Sequence, residues 1–309
     1  MPFLLAIGLW VTGSFTNASG TRAYQLYVPA GYVAGERRPL IVAIHGCTET
    51  PAEFAGLTRI AKLADEERLL ILMPSQSALA NPSLCWNWFL PVNQQRGQGE
   101  PSIIKGMVDW TRAHYSVDDA RIYVIGVSSG GYMTSVMLAC YSDVFAAGMV
   151  ASGGMYAGAD DVYSGAYAAL YGSSKDPNAT GIDAYHCSGA VHPRMVPVLV
   201  FHGSNDPYVT VSNATQTIAQ FAQLNDLGDD GVDNGSITTA PVASARGINF
   251  AWQRYAFGEE YIVNMGHAWA GGDPQFAYAE QPGPDETALM WSFLQRYARV
   301  TVRRRPIIK

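Results

Sequence analysis

The chain has 309 residues, of which 48% are hydrophobic and 15% are charged, and its formal net charge is −6. This composition favours a compact globular protein over a disordered or nucleic-acid-binding chain, because an excess of acidic residues is not attracted to phosphate backbones. No apolar run approaches the roughly 20 residues of a membrane-spanning helix. We therefore expect a globular protein with no nucleic-acid partner and no membrane span.

The first part of the chain predicts strands with a helix between them. Residues 3–11 are interpreted as an opening edge strand; the alternative, a leader remnant, lacks a preceding Lys or Arg and a small-residue cleavage site. Residues 21–29 alternate apolar and polar side chains, as in a half-exposed antiparallel strand. Residues 39–44 predict a buried strand, 51–67 a helix and 69–73 the next strand.

A long loop at residues 75–100 follows, and loops of this length in compact domains are usually functional or covering. It contains Trp86 and Trp88, whose large rings are costly to leave in water. We expect at least one of them, preferably Trp86, to line a substrate cleft; the alternative is that both only cover the core. Trp269, much later in the chain, is also expected to contact the substrate.

The remaining segments continue the alternation of strands and helices. They predict a helix at 102–114, a strand at 122–127, a helix at 133–140, a buried apolar run at 145–152, an aperiodic covering segment at 155–193, a strand at 196–201, a helix at 212–225, two strands within 250–265 and a helix at 285–297. This alternation predicts an α/β fold with a mostly parallel sheet and helices on both faces. We see no repeat and no linker, so we expect a single domain over residues 1–309.

Gly126, Ser128 and Gly130 stand between the predicted strand and helix with the spacing G-x-S-x-G. The chain must reverse sharply there, so the residues two before and two after the serine must be small, and the serine is held in a strained conformation with its hydroxyl exposed. The alternative is a glycine-rich turn that binds nothing. The strand before and the helix after favour a nucleophile elbow, with Ser128 as the nucleophile.

A serine needs an imidazole to take its proton and a carboxylate to orient that imidazole. In the α/β-hydrolase fold the chain order is serine, acid, histidine. Asp206 follows the strand at 197–201, which places it at the same sheet edge as the elbow. The alternative for Asp206 is a turn-forming residue before Pro207.

Elimination among the six histidines selects the base. His267 follows a predicted strand and precedes the final helix, after Asp206 in the chain. His45 and His202 are followed by glycine at strand ends and are expected to hydrogen-bond loop backbone. The other three precede Asp206: His114, His186 and His192. The order and spacing predict the triad Ser128–Asp206–His267.

Two backbone N–H groups should bind the oxyanion. One is expected from Ser129, after the nucleophile, and the other from Cys47 or Thr48, in the loop after His45. No metal and no cofactor are expected: the acidic residues 229–234 lack the ligand pattern of a calcium loop, and the cysteines lack C-x-x-C spacing.

The four cysteines indicate disulfides and an oxidising compartment. Three pairings of Cys47, Cys85, Cys140 and Cys187 are possible, and their spacing does not choose among them.

Four segments resemble the extracellular polyhydroxybutyrate depolymerase family of esterases, which also takes in feruloyl and acetylxylan esterases: HGCT at 45–48, CWNWF at 85–89, GVSSGG at 126–131 and GHAW at 266–269. The resemblance runs from about residue 20 to residue 297. It implies an α/β-hydrolase fold without a metal, in a secreted or periplasmic enzyme that acts on esters.

The resemblance also implies more specific features. It favours the pairs Cys47–Cys85 and Cys140–Cys187. It implies hydrolysis of polyhydroxyalkanoate chains or oligomers, with feruloyl or acetylxylan ester hydrolysis as the alternative.

Polymer-degrading members often carry a linker and a substrate-binding domain, which we do not expect here. We expect a monomer. A catalytically inactive fold used for binding is disfavoured because both the serine and the histidine are present.

Overall fold

A computed structural model describes residues 7–189, 194–281 and 283–299. Its strands are β1 (Leu9–Asn17), β2 (Gly20–Val28), β3 (Arg38–Ile44), β4 (Leu70–Ser75), β5 (Val117–Val127), β6 (Ala147–Ala151), β7 (Val198–Gly203), β8 (Ala243–Arg246), β9 (Phe250–Arg254), β10 (Gly258–Val263), β11 (Trp269–Ala270) and β12 (Ala279–Glu280). Its helices are α1 (Pro51–Thr58), α2 (Ile60–Glu67), α3 (Gly99–His114), α4 (Ser129–Cys140), α5 (Val162–Tyr171), α6 (Pro177–Cys187), α7 (Ser212–Asp230) and α8 (Glu286–Leu294).

Within these residues, ten strands form one sheet in the order β1-β2-β4-β3-β5-β6-β7-β10-β9-β8. Neighbouring strands run parallel from β4 to β10, and the two edges of the sheet are antiparallel. The prediction of a mostly parallel sheet is thus confirmed for its centre. Because the carboxyl ends of parallel strands share one edge, the loops after β3, β5, β7 and β10 meet there.

The sheet separates two apolar cores. Along β3, Leu40, Val42 and Ile44 pack into the core that includes α3 and α4. Ile41 and Ala43, which alternate with them, pack into the core that includes α1 and α8. A strand buried on both faces needs an unbroken apolar sequence, which is why residues 39–44 could be recognised.

Two predicted segments differ from the structure. The single helix expected at 51–67 is two helices, because Arg59 adopts a left-handed conformation with φ of 54° between α1 and α2. The covering segment at 155–193, which is aperiodic in sequence and for which no element is predicted, contains α5 and α6. Few residues of these two helices are buried, so the sequence shows no apolar period.

The described residues include part of the predicted opening strand. The strand interpretation of residues 3–11 is confirmed from Leu9 onwards, where β1 pairs with β2, and residues 3–6 lie outside the described residues. His192 also lies outside them. In the described ranges, none of the helices combines the length and the apolar character needed to cross a bilayer.

Candidate active site

Ser128 occupies a sharp turn between β5 and α4, with φ of 58° and ψ of −123°. Close backbone contacts require glycine two residues before and two residues after Ser128. A Cβ on Gly126 would lie 2.3 Å from the Gly130 carbonyl oxygen, and a Cβ on Gly130 would lie 2.1 Å from the Ile44 carbonyl oxygen. Larger residues at either position would force the strand and helix apart. The local geometry is that of a nucleophile elbow.

Asp206 and His267 are brought together by two neighbouring parallel strands. Asp206 follows β7 and His267 follows β10, and β7 and β10 pair in the sheet. The imidazole Nδ1–H of His267 donates a hydrogen bond to Asp206 Oδ2 at 2.7 Å. The Asp206 side chain is fully buried, whereas 11% of the His267 side chain is exposed. This pair therefore has one buried member and one that reaches a solvent-accessible space.

The Asp206 carboxyl is suited to remain ionised. Burial alone would raise its pKa, but the hydrogen bond and charge of His267, together with the amides of Val209 and Tyr208, bring the pKa below its ordinary value. A carboxylate at Oδ2 fixes the proton of His267 on Nδ1. The other ring nitrogen, Nε2, is thereby left as a proton acceptor.

Ser128 and His267 both line a cavity of about 440 Å³. The rest of its lining is mainly apolar: Leu57, Trp88, Phe89, Val127, Tyr132, Val162, Ala166, Ala169, Val209 and Trp269, among others. In the described part of the chain, neither the Ser128 hydroxyl nor His267 Nε2 has a hydrogen-bond partner. Such contacts often tighten only when substrate binds.

The candidate oxyanion donors differ in whether their backbone amides already have a hydrogen-bond acceptor. The amide of Gly46 donates to Glu49 Oε2 and that of Thr48 donates to the Ser83 carbonyl oxygen, each at 2.7 Å. Within the described ranges the amide of Cys47 has no acceptor. Ser129 begins α4, so its amide has no partner in the helix. The geometry thus favours Cys47 over Thr48, with Ser129 as the second candidate donor.

His45 supports this loop as a neutral ring. Its Nδ1–H donates to the Gly46 carbonyl oxygen at 2.7 Å, and its Nε2 accepts from the Gln76 amide at 3.1 Å. Burial lowers the pKa of His45 to about 4, so the ring stays uncharged. His202 likewise donates from Nε2 to the Val209 carbonyl oxygen. Both histidines hold loop backbone, as the sequence predicted.

The three predicted substrate tryptophans are placed differently. Trp88 and Trp269 line the cavity, and Trp88 stacks on Tyr132 with ring centroids 3.7 Å apart. Trp86 is fully buried and does not line the cavity. The preference for Trp86 over Trp88 is therefore corrected, because the loop turns the Trp86 ring into the core beside His45.

A buried carboxylate that the sequence does not reveal as buried explains this inward turn. Glu100 Oε1 accepts hydrogen bonds from Arg22, Gln76 and the Asn87 side chain, and its Oε2 accepts from the Asn87 amide. Asn87 lies between the two tryptophans, so its anchoring fixes both rings. The only signal in the sequence was a polar residue between two tryptophans, which does not identify its partner.

Two disulfides join the described cysteines, Cys47 to Cys85 and Cys140 to Cys187. This is the pairing that the family resemblance implied. The first bridge ties the oxyanion loop, residues 45–49, to the long loop at residues 75–100 that contains Trp86 and Trp88. The second ties the end of α4 to the end of α6, away from the cavity lining.

Comparison with known proteins decides the family. The family model described as "Esterase PHB depolymerase" matches residues 22–240. The chain belongs to this family. The match covers most of the chain, including Ser128 and Asp206, and it ends before His267.

Three esterase relatives are identical to this chain at about a third of the aligned positions. Poly(3-hydroxyalkanoate) depolymerase C of Paucimonas lemoignei is 34% identical over 73% of this chain and 55% of its own length. Acetylxylan esterase A of Talaromyces purpureogenus is 32% identical over 83% of this chain and 66% of its length. Feruloyl esterase B of Neurospora crassa is 31% identical over 69% and 73%. The chain thus spans only about half of the depolymerase.

Solved structures support the fold. An acetyl xylan esterase from Aspergillus awamori superposes with a TM-score of 0.68 and 22% identity, over 83% of this chain and 94% of that one. A thermostable esterase superposes with a TM-score of 0.51 and 17% identity, over 94% and 63%. At these identities the likeness concerns the fold alone. The α/β-hydrolase fold predicted from the sequence is confirmed.

Proposed function

We propose that this member of the esterase family is a secreted serine esterase that hydrolyses polyhydroxyalkanoate chains or oligomers, such as polyhydroxybutyrate, through an acyl-enzyme on Ser128. One observation carries the proposal: a serine in a strained turn and a histidine oriented by a buried aspartate open into the same apolar cavity. That combination is suited to acyl transfer.

In the first half of the reaction, Ser128 Oγ attacks the ester carbonyl carbon while His267 Nε2 takes the hydroxyl proton. The carbonyl π bond opens and its electron pair moves to oxygen, where the amides of Cys47 and Ser129 stabilise the negative charge. Asp206 stabilises the positive charge that forms on the imidazole. When the tetrahedral intermediate collapses, the alcohol leaves with the proton from His267, and Ser128 is acylated.

In the second half, water enters where the alcohol left. His267 Nε2 takes a proton from that water as its oxygen attacks the acyl carbon, and the same two amides stabilise the second oxyanion. Collapse breaks the bond to Ser128 Oγ, which regains a proton from His267. The products are a carboxylic acid and the free enzyme, so the site needs no other reactant.

The cavity favours a neutral acyl group. Its lining contains no Lys or Arg among the described residues, and most of its side chains are apolar. An anionic substrate would find no positive partner there, whereas a short aliphatic hydroxyacyl unit would bury apolar surface. This agrees with the depolymerase relative.

A second candidate is the hydrolysis of feruloyl or acetyl esters on plant polysaccharide. Two relatives carry those activities in their names. The stacked rings of Trp88 and Tyr132 at the cavity could also contact an aromatic acyl group. Secretion is supported separately, because structural disulfides such as these two are common in oxidising compartments and rare in the cytosol.

A panel of esters tests the proposal: hydroxybutyrate oligomers, polyhydroxybutyrate film, methyl ferulate, acetylated xylan and 4-nitrophenyl butyrate. We expect kcat/KM to be highest for the hydroxybutyrate oligomers. Ser128→Ala should lower kcat by roughly 10³-fold or more and leave folding intact, because the elbow geometry does not depend on the hydroxyl. A clear preference for methyl ferulate or acetylated xylan would establish the second candidate instead. Hydrolysis by Ser128→Ala at the wild-type rate would exclude the mechanism.

A further inference from the structure

Glu49 is a buried carboxyl at the cavity for which the mechanism above has no role. It is only 8% exposed, and it lines the same cavity as Ser128 and His267. Its Oε2 accepts the Gly46 amide hydrogen at 2.7 Å. The same Oε2 and Ser128 Cβ lie 3.0 Å and 3.2 Å from the position that a Cβ on Gly46 would take. The carboxyl is therefore directly beside the nucleophile turn.

We propose that Glu49 is a positioning residue that holds the oxyanion loop, and that the enzyme is most active when this carboxyl is ionised. The proposal rests on the function proposed above, because it gives Glu49 its role through the Cys47 amide. It adds a residue to the catalytic apparatus that acts through the loop and not on the substrate.

Two side chains hold successive peptide groups of this loop. Glu49 binds the N–H of the peptide between His45 and Gly46. His45 binds the carbonyl oxygen of the next peptide, whose N–H belongs to Cys47. Because a peptide group is planar, fixing that carbonyl also fixes the direction of the Cys47 N–H. Glu49 and His45 together leave this donor little freedom to rotate.

The charge of Glu49 strengthens its contact with the loop. A hydrogen bond to a carboxylate is stronger than one to a protonated carboxyl. Ionisation of Glu49 therefore tightens the Gly46 contact, and loss of the charge loosens it. A looser loop would stabilise the oxyanion less well, since the donor must already point at the place where charge develops.

The groups around Glu49 allow its charge to change near neutral pH. Burial is the largest effect and raises the pKa of Glu49 to about 7. The Gly46 amide and His267 act in the opposite direction and lower the pKa, while Glu53 on α1 raises it further. Since a positive charge on His267 favours ionised Glu49, ionised Glu49 in turn favours the imidazolium that forms during attack. Both effects make the ionised state the more active one.

The test measures kcat and KM for 4-nitrophenyl butyrate between pH 5 and pH 9 in wild type, Glu49→Gln and Glu49→Ala. Glutamine keeps an oxygen for the Gly46 amide but has no charge to lose. We expect the ratio of wild-type kcat to Glu49→Gln kcat to rise through about pH 7 to roughly threefold or more, with KM nearly unchanged. Glu49→Ala, which removes the acceptor, should lose about tenfold or more at every pH.

A matched control is Glu53→Gln, which removes the neighbouring exposed charge while keeping an acceptor for the Thr50 amide. It should retain the pH dependence of wild type, with its midpoint moved slightly lower because one charge that raises the pKa of Glu49 is gone. A constant ratio of wild-type to Glu49→Gln kcat over the whole range would overturn the proposal. So would a ratio that falls as the pH rises.

A second measurement separates this proposal from the proposed function. The rate at which a fluorophosphonate labels Ser128 reports the reactivity of the nucleophile without any ester. If no ester is hydrolysed, the proposed function fails, and the ratio of labelling rates for wild type and Glu49→Gln still decides the role of Glu49. Urea unfolding of each variant at pH 8 shows whether a lost rate is only lost folding; a fall in rate fully explained by unfolding would reduce Glu49 to a structural residue.

Discussion

Two loops contribute residues to the cavity lining: the oxyanion loop, residues 45–49, and the histidine loop, residues 264–269. In the first loop, the amides of Gly46 and Thr48 have acceptors, and the Cys47 amide has none among the described residues. In the second, the amides of Gly266 and Trp269 are bound to Glu280 and Tyr278, and His267 Nε2 is a side-chain atom with no partner in the described part of the chain.

The difference lies in which kind of group each loop leaves unpaired. The oxyanion loop offers a fixed backbone donor, and the histidine loop offers a side-chain acceptor that can exchange a proton. The paired groups hold each loop in place, so they matter for stability. Removing an unpaired group should therefore cost activity with little loss of stability. Removing a group that pairs should cost stability, and it should cost activity only as far as the loop that carries the unpaired group moves.

The largest effect should come from the unpaired acceptor. We expect His267→Ala to lower kcat by about 10³-fold or more with little change in the free energy of unfolding, because the ring is the proposed base and holds little backbone. His45→Asn should show the opposite pattern: a loss of stability of about 1–3 kcal/mol, since buried partners are left unsatisfied, and a smaller loss of kcat. Steady-state kinetics and urea unfolding of both variants check this; similar kinetic losses would contradict the division of roles.

The two disulfides provide the next comparison. Cys85→Ser frees the oxyanion loop, whereas Cys187→Ser frees the end of α6, and the separations of 38 and 47 residues make the expected stability losses similar, up to about 4 kcal/mol each. We expect kcat to fall about tenfold or more in Cys85→Ser, because the Cys47 donor moves, and to change little in Cys187→Ser. Kinetics at a temperature where both variants remain folded measures the difference. Equal losses would leave the first bridge with a structural role only.

A smaller effect concerns pH and the paired histidine. The pKa of His45 is about 4 in the folded protein, below its ordinary value of about 6.5, so the unfolded chain binds the proton more readily in this window. The contribution of neutral His45 to the free energy of unfolding is therefore fully present above about pH 6.5. It is lost as the pH falls towards 4, by up to about 3 kcal/mol. Unfolding curves at pH 7, 5.5 and 4 should show a shallower decline in His45→Asn than in wild type; parallel declines would assign the acid sensitivity to other groups.

The smallest effect separates the two tryptophans of the long loop. Trp88 lines the cavity and Trp86 does not. We expect Trp88→Phe to raise KM for hydroxybutyrate oligomers by about two- to tenfold, through lost contact area, and also to reduce stability, since Trp88 is only 5% exposed and stacks on Tyr132. Trp86→Phe should reduce stability and leave KM unchanged, since its ring is fully buried. An unchanged KM in Trp88→Phe for every ester would remove this residue from the substrate site.

The sequence allowed the fold and the candidate triad to be predicted because both depend on local rules. A sharp turn between strand and helix requires glycine at positions 126 and 130, and the order of Ser128, Asp206 and His267 follows the order of the strands that carry them. The pairing of the strands then brings Asp206 within hydrogen-bond distance of His267 without further information.

What could not be predicted depends on partners distant in sequence. Glu49 follows the oxyanion loop in a polar stretch, and nothing in the sequence shows that its carboxyl is buried against Gly46. The orientation of Trp86 and Trp88 depends on Glu100, which binds Asn87 only in the folded protein. Helix α5 buries mainly small residues such as Gly165 and Ala168, so no apolar period marks it.

The small residues of α5 also have a consequence for redesign of the enzyme. This helix contributes Val162, Gly165, Ala166 and Ala169 to the cavity lining, so three of its four lining residues are glycine or alanine and leave space on that side of the cavity. Replacing Ala166 or Ala169 with a larger apolar residue should shorten the acyl chain that fits, while Ser128 keeps its place in the turn and His267 keeps its hydrogen bond to Asp206. Acyl-length preference is thus adjustable on one helix independently of the reacting groups, and a series of 4-nitrophenyl esters of increasing chain length measures it directly.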